Sequence, residues 1–548
     1  MNADRFSDVL AAGMDRRRFL RFTGSLSAAA AVAAGLSACG GTSNAPTGQS
    51  SGGAAMGTAE HPAGTITTTL AFQFNGGFDP MNTSGAVGTC VNQHIFEALV
   101  DLDPVTRQPY AALAKTLPTA SPDGLTWTAT LRDGAKFSDG TPVTADDVAW
   151  SFTRVLNPAG NALVAPFITA FLDSVTATGA GTVQFKLKAP FALFPQRIAV
   201  IKIVPKAKTG DAAAAKAFDS APIGSGPFKL DSASVTAGAV LSNNPNYNGP
   251  RPALVTQIVM RTNNDNSARL NDLQGGQSQV IEAVPFLNAA TVQAPYKTDV
   301  KQAFNGLYLM FNCSAAPFSD KRVRQALFYA IDTKKVMATA LNGFGETATS
   351  YLDSANPDYQ RAATVYDYDP QKAKALLAEA GVTGLSFELV TTNVAFIADS
   401  APVIIDCWKQ IGVTAKLNTA PTAQVLSQLV PADNFRVLAG SGDPTIYGPD
   451  ADLLLRWYYY GNQWLVNRAR WSDPARTRLA ELIDKAATQQ GAEQKTTWKQ
   501  VFDLVADEVP LYMLYHTKTI TGSDPGKVTG FGGTSTTGTY FLGAGRAA

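Results

Sequence analysis

The chain has 548 residues, with 45 Lys and Arg against 44 Asp and Glu, and only 4 Cys and 3 His. That length exceeds the size at which one hydrophobic core keeps growing, so two or more lobes are expected. Balanced charge argues against nucleic acid, which needs a basic surface, and so few cysteines argue against a disulfide scaffold.

The first segment runs Asp15-Arg16-Arg17-Arg18-Phe19-Leu20-Arg21 and then turns apolar and alanine-rich from about Leu26 to Leu36. This run is about half of the ~20 residues that a bilayer crossing needs. It reads as the apolar part of an export signal over 1–38, and no later segment is long and apolar enough to span. The paired arginines before Phe19 and Leu20 resemble a twin-arginine signal, with Asp15 where Ser or Thr is usual. Leu36-Ser37-Ala38-Cys39 resembles a bacterial lipobox, which implies that Cys39 carries lipid and becomes the mature N-terminus. Residues 39–63 have the Gly, Ser, Thr, Ala and Pro composition of a flexible tether.

The body opens on a β-rich alternation, Thr65 to Phe72, followed by the Gly- and Asn-rich loop "QFNGGFDPMNTSGAVG" and an amphipathic segment around Val91 to Leu99. Trp127, Ala129 and Leu131 alternate as in a strand, and Asp133-Gly134 has hairpin-turn chemistry. Thr144 and Asp147 make a capping box, which explains Asp146 and Asp147 without invoking catalysis. Val148, Phe152 and Val155 recur at helical spacing. "APIGSGPFKL" reads as a close chain crossing that ends in a strand, and "LSNNPNYNGPRPALVTQIVMR" as a polar loop and an alternating strand.

In the second half, a strand from Leu307 to Asn312 leads through Pro317 to a helix capped by Ser319 or Asp320. Its inward face is Val323, Ala326, Leu327, Ala330 and Ile331, with Lys321, Arg322 and Arg324 expected outward. A further helix has Asp369 as cap, Pro370 at its first position, Ala373, Leu376, Leu377 and Ala380 inward, and Gly381 at its end. Alternation continues through "LSFELV", a helix around Val403 to Ile411, "VTAKLN", a helix from Asp473-Pro474, and the strand "LYMLY" after Pro510. Strands alternating with helices imply an α/β architecture.

Catalytic and metal signatures are missing from the sequence. His61, His94 and His516 have no neighbour at metal-ligand spacing, and Ser225 lacks the flanks of a nucleophile elbow. No cofactor is implied and the chain does not read as an enzyme. Without Cys39, the remaining Cys90, Cys313 and Cys407 are odd in number, so one thiol at least is free; Cys313 and Cys407 read as buried.

The blocks "WTATLRDGAKFSDGTPVTADDVAWSFTRVL", "IGSGPFKL", "NPNYNGPRP", "FNCSAAPFSDKRVRQALFYAID" and "YDYDPQKAKALLAEAG" stand in one order. They resemble the family 5 extracytoplasmic solute-binding proteins of peptide/nickel-type ABC importers, from about Thr65 to Gly530. One departure is "GGQSQVIE", Gly275 to Glu282, where the family often has Gly-Glu-Ile-Asp; the missing acid reads as structural.

The resemblance implies an α/β, two-lobe periplasmic-binding-protein-like fold of the large peptide-binding type, with a hinge and an extra subdomain in lobe 1. Lobe 1 would span 64–303 and lobe 2 304–510, with 511–548 returning to lobe 1. It implies a monomeric receptor, lipid-anchored outside the cell membrane, that hands short peptides to ABC permease subunits.

By the same resemblance Asp443, within Ser441-Gly442-Asp443-Pro444, faces the peptide amine, since a buried ammonium needs a hydrogen-bonded carboxylate. The competing reading of Asp443-Pro444 is a turn, and Asp450 is the second choice of acid. Tyr447, Trp457, Tyr459 and Trp464 are aromatic candidates, about half of them expected at the cleft; Tyr308, Phe74 and Asn75 complete the ligand-binding set. The alternatives are an exported hydrolase acting on peptides or esters, or a same-fold receptor for haem, a metal chelate or an oligosaccharide. For a nickel chelate, His94 and His516 are the body's candidates.

Overall fold

Thr65–Leu70 is buried on both faces along most of its length, as expected of a strand inside a sheet, and pairs in parallel with Gln257–Thr262 and Val280–Ile281. This computed structural model describes residues 57–547 apart from 75, 84, 161 and 462, so the expected signal, Cys39 and Asn75 lie outside the described residues. Eleven strands form the main sheet, in the order Thr414–Ala420, Ser386–Thr392, Val437–Gly440, Lys297–Phe311, Leu511–Ser523, Val280–Ile281, Thr65–Leu70, Gln257–Thr262, Gly238–Asn243 and Phe228–Ser234. The eleventh, Gly345–Thr347, pairs with Leu511–Ser523.

The two halves of this sheet belong to two α/β lobes, and the antiparallel pair Lys297–Phe311 and Leu511–Ser523 joins them. Its register shifts between Gln302 and Gly306 and again between Leu307 and Tyr308. Such bulges bend a strand pair and release backbone groups from the ladder. The freed Phe304 carbonyl accepts from His516 Nδ1 at 2.7 Å. A side chain at position 306 would place its Cβ 2.0 Å from the Tyr515 carbonyl oxygen, so only Gly306 allows the strands this close. The strand is therefore much longer than Leu307–Asn312, because its first half pairs across the hinge instead of alternating on one apolar face.

Lobe 1 carries an inserted four-stranded sheet, Thr119–Ala120, Thr126–Thr130, Thr182–Leu187 and Leu172–Ala177, beside the helix Ala145–Leu156. The capping box forms: Asp147 N–H donates to Thr144 Oγ1 at 3.2 Å and Thr144 N–H to Asp147 Oδ2 at 3.0 Å. Val148, Phe152 and Val155 are buried below it. Asp133-Gly134 is a turn but closes no hairpin, since Thr126–Thr130 pairs with Thr119–Ala120 and Thr182–Leu187. The close crossing at "GSGP" is real: a Cβ on Gly224 would meet the Ile95 carbonyl oxygen at 1.9 Å. The amphipathic segment folds as Ala86–Ile95, earlier than its pattern indicates, because Val87, Cys90 and Val91 pack inward.

In lobe 2, Asp320 rather than Ser319 caps Lys321–Tyr329, accepting from Arg322 N–H at 2.8 Å. Arg324 corrects its expected outward placement. It is 1% exposed and donates to the carbonyls of Glu508 and Phe318 at 3.0 and 2.8 Å, capping the C-terminal end of the helix Gly491–Glu508. Asp369 caps Pro370–Glu379 as expected, with Ala373 and Leu377 buried. The helix expected around Val403 begins at Ala395, with Pro402 inside it.

The tail beyond Ser523 packs against the helix Ala86–Ile95. Neutral His94 pins it: Nδ1–H donates to the Cys90 carbonyl at 2.8 Å, and Nε2 accepts from Phe541 N–H at 3.0 Å. Burial pushes the His94 pKa down to about 4. Glu282, in the segment that departs from the family pattern, accepts from Ala71 N–H at 2.9 Å and Gly538 N–H at 2.7 Å. Cys90, Cys313 and Cys407 are free and buried. Among the described residues, no helix is long and apolar enough to cross a membrane and no cluster of metal-ligating side chains forms.

Candidate functional site

Ligands of open α/β sheets sit beyond the carboxyl ends of the parallel strands. In lobe 2 the strand Val437–Gly440 ends there, and Ser441 and Gly442 carry the chain to Asp443. Asp443 caps the short helix Pro444–Ile446, its Oδ1 accepting from Thr445 N–H at 3.2 Å and from the Thr445 hydroxyl. Its Oδ2 accepts from the Thr536 hydroxyl at 3.0 Å, Thr537 N–H at 2.8 Å and the Thr537 hydroxyl at 2.9 Å. The carboxylate expected to await an amine thus receives five donors from the protein, three of them from the returning tail. The capping role of the turn reading is present as well.

Tyr447 crosses to lobe 1, where its hydroxyl donates to the Thr83 carbonyl at 3.0 Å. Its ring lies 5.5 Å from Phe167 and 5.7 Å from Trp457. From the other side Arg107 donates to the Thr445 carbonyl at 2.6 Å. A cavity of about 40 Å³ remains between them, lined by Thr83, Asn92, Asp101, Arg107, Lys202 and Tyr447 among others. Lys202 and Asp101 pair within its wall. Phe74 stacks on Phe78 with ring centres 4.8 Å apart and stays half-buried beside Gly88, next to Thr83.

Tyr308 and Trp464 are not on the surface of the cleft loops; they are 2% and 6% exposed. Both pack edge-on against Tyr458, at 5.5 and 4.9 Å between ring centres. The run Trp457 to Tyr460 diverges as a helix requires: Trp457 meets Phe167, Tyr458 meets Tyr308, Tyr459 meets Tyr351, and Tyr460 lies under Arg456. Tyr459 is core. Tyr458, which the sequence reading passed over, is the one whose hydroxyl reaches the backbone at Gly442: a Cβ there would be 2.3 Å from it. Burial first, then Tyr308 and Asp443, raises the Tyr458 hydroxyl well above its ordinary pKa, so it remains a donor.

Asp450 is not a free acid. It caps Ala451–Tyr459 and pairs with Arg197 at 2.5 Å, while Asp452 takes Arg197 at 2.8 Å and Arg456 at 2.9 Å. Buried Arg197 and the tail residues Thr536 and Thr537 are the other site-forming residues that sequence reasoning missed. None lies in a local pattern that marks it.

The description "Bacterial extracellular solute-binding proteins, family 5 Middle" matches residues 108–464. The glutathione-binding protein GsiB of Escherichia coli is 30% identical over 310 residues, which are 55% of this chain and 59% of that protein; the chain thus matches well under two thirds of that relative. The dipeptide-binding protein of Escherichia coli is 28% identical over 488 residues, covering 80% of this chain and 90% of its own. The binding protein AgaA of A. tumefaciens, solved in complex with agropinic acid, superposes with a TM-score of 0.76 at 26% identity, covering 87% of this chain and 96% of its own. The chain belongs to the bacterial extracellular solute-binding proteins, family 5, a family of non-catalytic binders, and the hydrolase reading falls with that membership.

Proposed function

We propose that the protein is the lipid-anchored substrate-binding component of an ABC importer, capturing short peptides between its lobes and delivering them to permease subunits. Lobe 1 is taken as 64–303, lobe 2 as 304–510 and the return to lobe 1 as 511–548. The observation that carries the peptide reading is Asp443, a carboxylate at the end of Val437–Gly440 whose partners include two threonine hydroxyls from the tail. Hydroxyls rotate, so an incoming ammonium can replace them as donors while backbone N–H groups keep the carboxylate in place. The names of the relatives support the same class, since one binds glutathione and another a dipeptide.

The remaining ligand contacts are assigned to Ser441, Gly442, Tyr447, Trp464, Tyr308, Phe74 and Asn75, and lipidation to Cys39. A tethered receptor gains effective concentration at its permease.

Thermal shift with di- to pentapeptides tests the ligand class: a rise that disappears in Asp443→Ala supports the amine anchor, and unchanged affinity in that variant removes it. Fractionation of Cys39→Ala tests the anchor, which predicts release from membranes with ligand affinity intact.

A further inference from the structure

The loop 530–544 is closed at its base by the pairing of Val528–Thr529 with Gly545–Arg546 and has no helix or strand of its own between them. Loops whose ends meet in this way hold their shape by their own packing and often serve a site. This one is fastened along its length. Gly533 N–H donates to Asp299 Oδ2 at 3.1 Å and the Thr519 hydroxyl to the Thr534 carbonyl at 2.5 Å, which ties the loop to both strands that join the lobes. Further on, Gly538 N–H donates to Glu282, the Cys90 thiol to the Thr539 carbonyl at 3.2 Å, and Phe541 N–H to His94. Gly538, at φ 104°, turns the chain so that the successive N–H groups of Thr537 and Gly538 go to two different carboxylates, Asp443 and Glu282.

This fastening delivers Thr536 and Thr537 to Asp443 and fills it. A carboxylate has about four lone-pair sites, and five protein donors already converge on this one. An amine therefore enters only in exchange for donors of the loop, and the two threonine hydroxyls are the ones that turn away without moving the backbone. The exchange has a second consequence. A carboxylate dried by lobe closure and short of donors is costly, so a bare Asp443 would reject any solute that brings no amine. With both hydroxyls in place the carboxylate is satisfied, and that cost is absent.

We propose that Thr536 and Thr537 are specificity-determining residues: they cap Asp443 whenever no amine does, so that the protein encloses solutes without a free amine, such as N-acylated peptides, as well as solutes with one. This deepens the peptide reading and rests on it for the place of the amine at Asp443.

Calorimetry on the purified protein compares glutathione and di- and tripeptides with their N-acetyl derivatives. The proteins are the wild type, Thr536→Val with Thr537→Val, and Thr536→Ser with Thr537→Ser, with melting temperature as the folding control; if the valine pair does not fold, the alanine pair replaces it. N-acetylation is expected to weaken binding less than about tenfold in the wild type and at least about tenfold more in the valine pair, the factor that one hydroxyl bond to a charged group supplies. The serine pair keeps the hydroxyls and should restore the wild-type ratio. A loop with only a structural role would shift both forms of each solute alike, so an unchanged ratio in the valine pair overturns the proposal, as does a wild-type penalty above about tenfold. If neither form of any probe binds, the peptide reading ends, and hydrogen exchange without solute judges the cap. Faster exchange of the loop amides 536–541 in Asp443→Ala keeps it, and unchanged exchange overturns it.

Discussion

Arg197 and Asp452 stand 255 positions apart and meet at 2.8 Å, with both side chains shielded from solvent. Arg197 comes from the inserted region of lobe 1 and Asp452 from the helix Ala451–Tyr459 of lobe 2. Asp450 takes the other arm of Arg197, and Arg456 carries the chain of charges from Asp452 on to Asp484 at 2.8 Å. The inserted subdomain is therefore held to the second lobe by ions as well as by the packing of Phe167 on Trp457. A buried ion network adds little net stability over an apolar one, but removal of one member strands the rest.

Arg197→Met is therefore expected to destabilise the protein by about 3–5 kcal/mol, since it leaves Asp450 without a cation and Asp452 with only one. Denaturant titration measures this. A loss below about 1 kcal/mol would mean that water reaches the carboxylates.

The same network sets an acid limit. Burial pushes the Asp452 carboxyl up, but Arg456 and Arg197 outweigh it and hold the group below its ordinary value. A depressed carboxyl contributes stability above its unfolded pKa of about 3.9 and loses it as pH falls through the lower folded value. Asp452→Asn should flatten the pH dependence of stability below about pH 4.

His94 acts in a higher window. Its folded pKa of about 4 lies under the ordinary value near 6.5 of an unfolded chain. Between these values the unfolded chain binds the extra proton, so stability falls on acidification, by up to about 1.4 kcal/mol per pH unit. Melting temperature from pH 7 to 4 should show the slope in the wild type and lose most of it in His94→Gln.

At Gly442 a methyl group would meet the Tyr458 hydroxyl at 2.3 Å but the ring carbon bearing it at an ordinary 3.5 Å. Gly442→Ala should cost about 1–3 kcal/mol. Adding Tyr458→Phe removes the clashing oxygen and should restore much of that stability, a coupling that a double-mutant cycle reads directly. Additive losses would contradict the geometry.

Gly306→Ala should behave differently, because the obstacle is the Tyr515 backbone at 2.0 Å and no side-chain change can remove it. A loss of about 2 kcal/mol or more is expected from chemical unfolding, along with altered lobe closure by small-angle scattering. A neutral substitution would show that the strands can part at the hinge without cost.

Much of the scaffold was legible because its signals are local. The box at Thr144 and Asp147 and the caps Asp320 and Asp369 satisfy helix ends with side chains two or three residues away, and Pro370 fits a first turn because it has no N–H to satisfy, so spacing alone reveals them. Errors arose where tertiary packing overruled the local pattern. Arg324 lies on a helix face that charge marks as solvated, yet the carbonyls of Phe318 and Glu508 draw it inward. Asp133-Gly134 has turn chemistry, but strand partners elsewhere decide that no hairpin closes there.

By itself the sequence determined the helix and strand signals, their order and, through that order, the family and the two-lobe fold, since capping, turn chemistry and periodicity act over a few residues. The tertiary structure alone decided which polar groups meet. The tail threonines on Asp443, the bond from Tyr447 to Thr83 and the Arg197 network each depend on how the lobes pack. Nothing in local spacing encodes such meetings, because burial and hydrogen bonding between distant segments exist only once the sheet has brought them together.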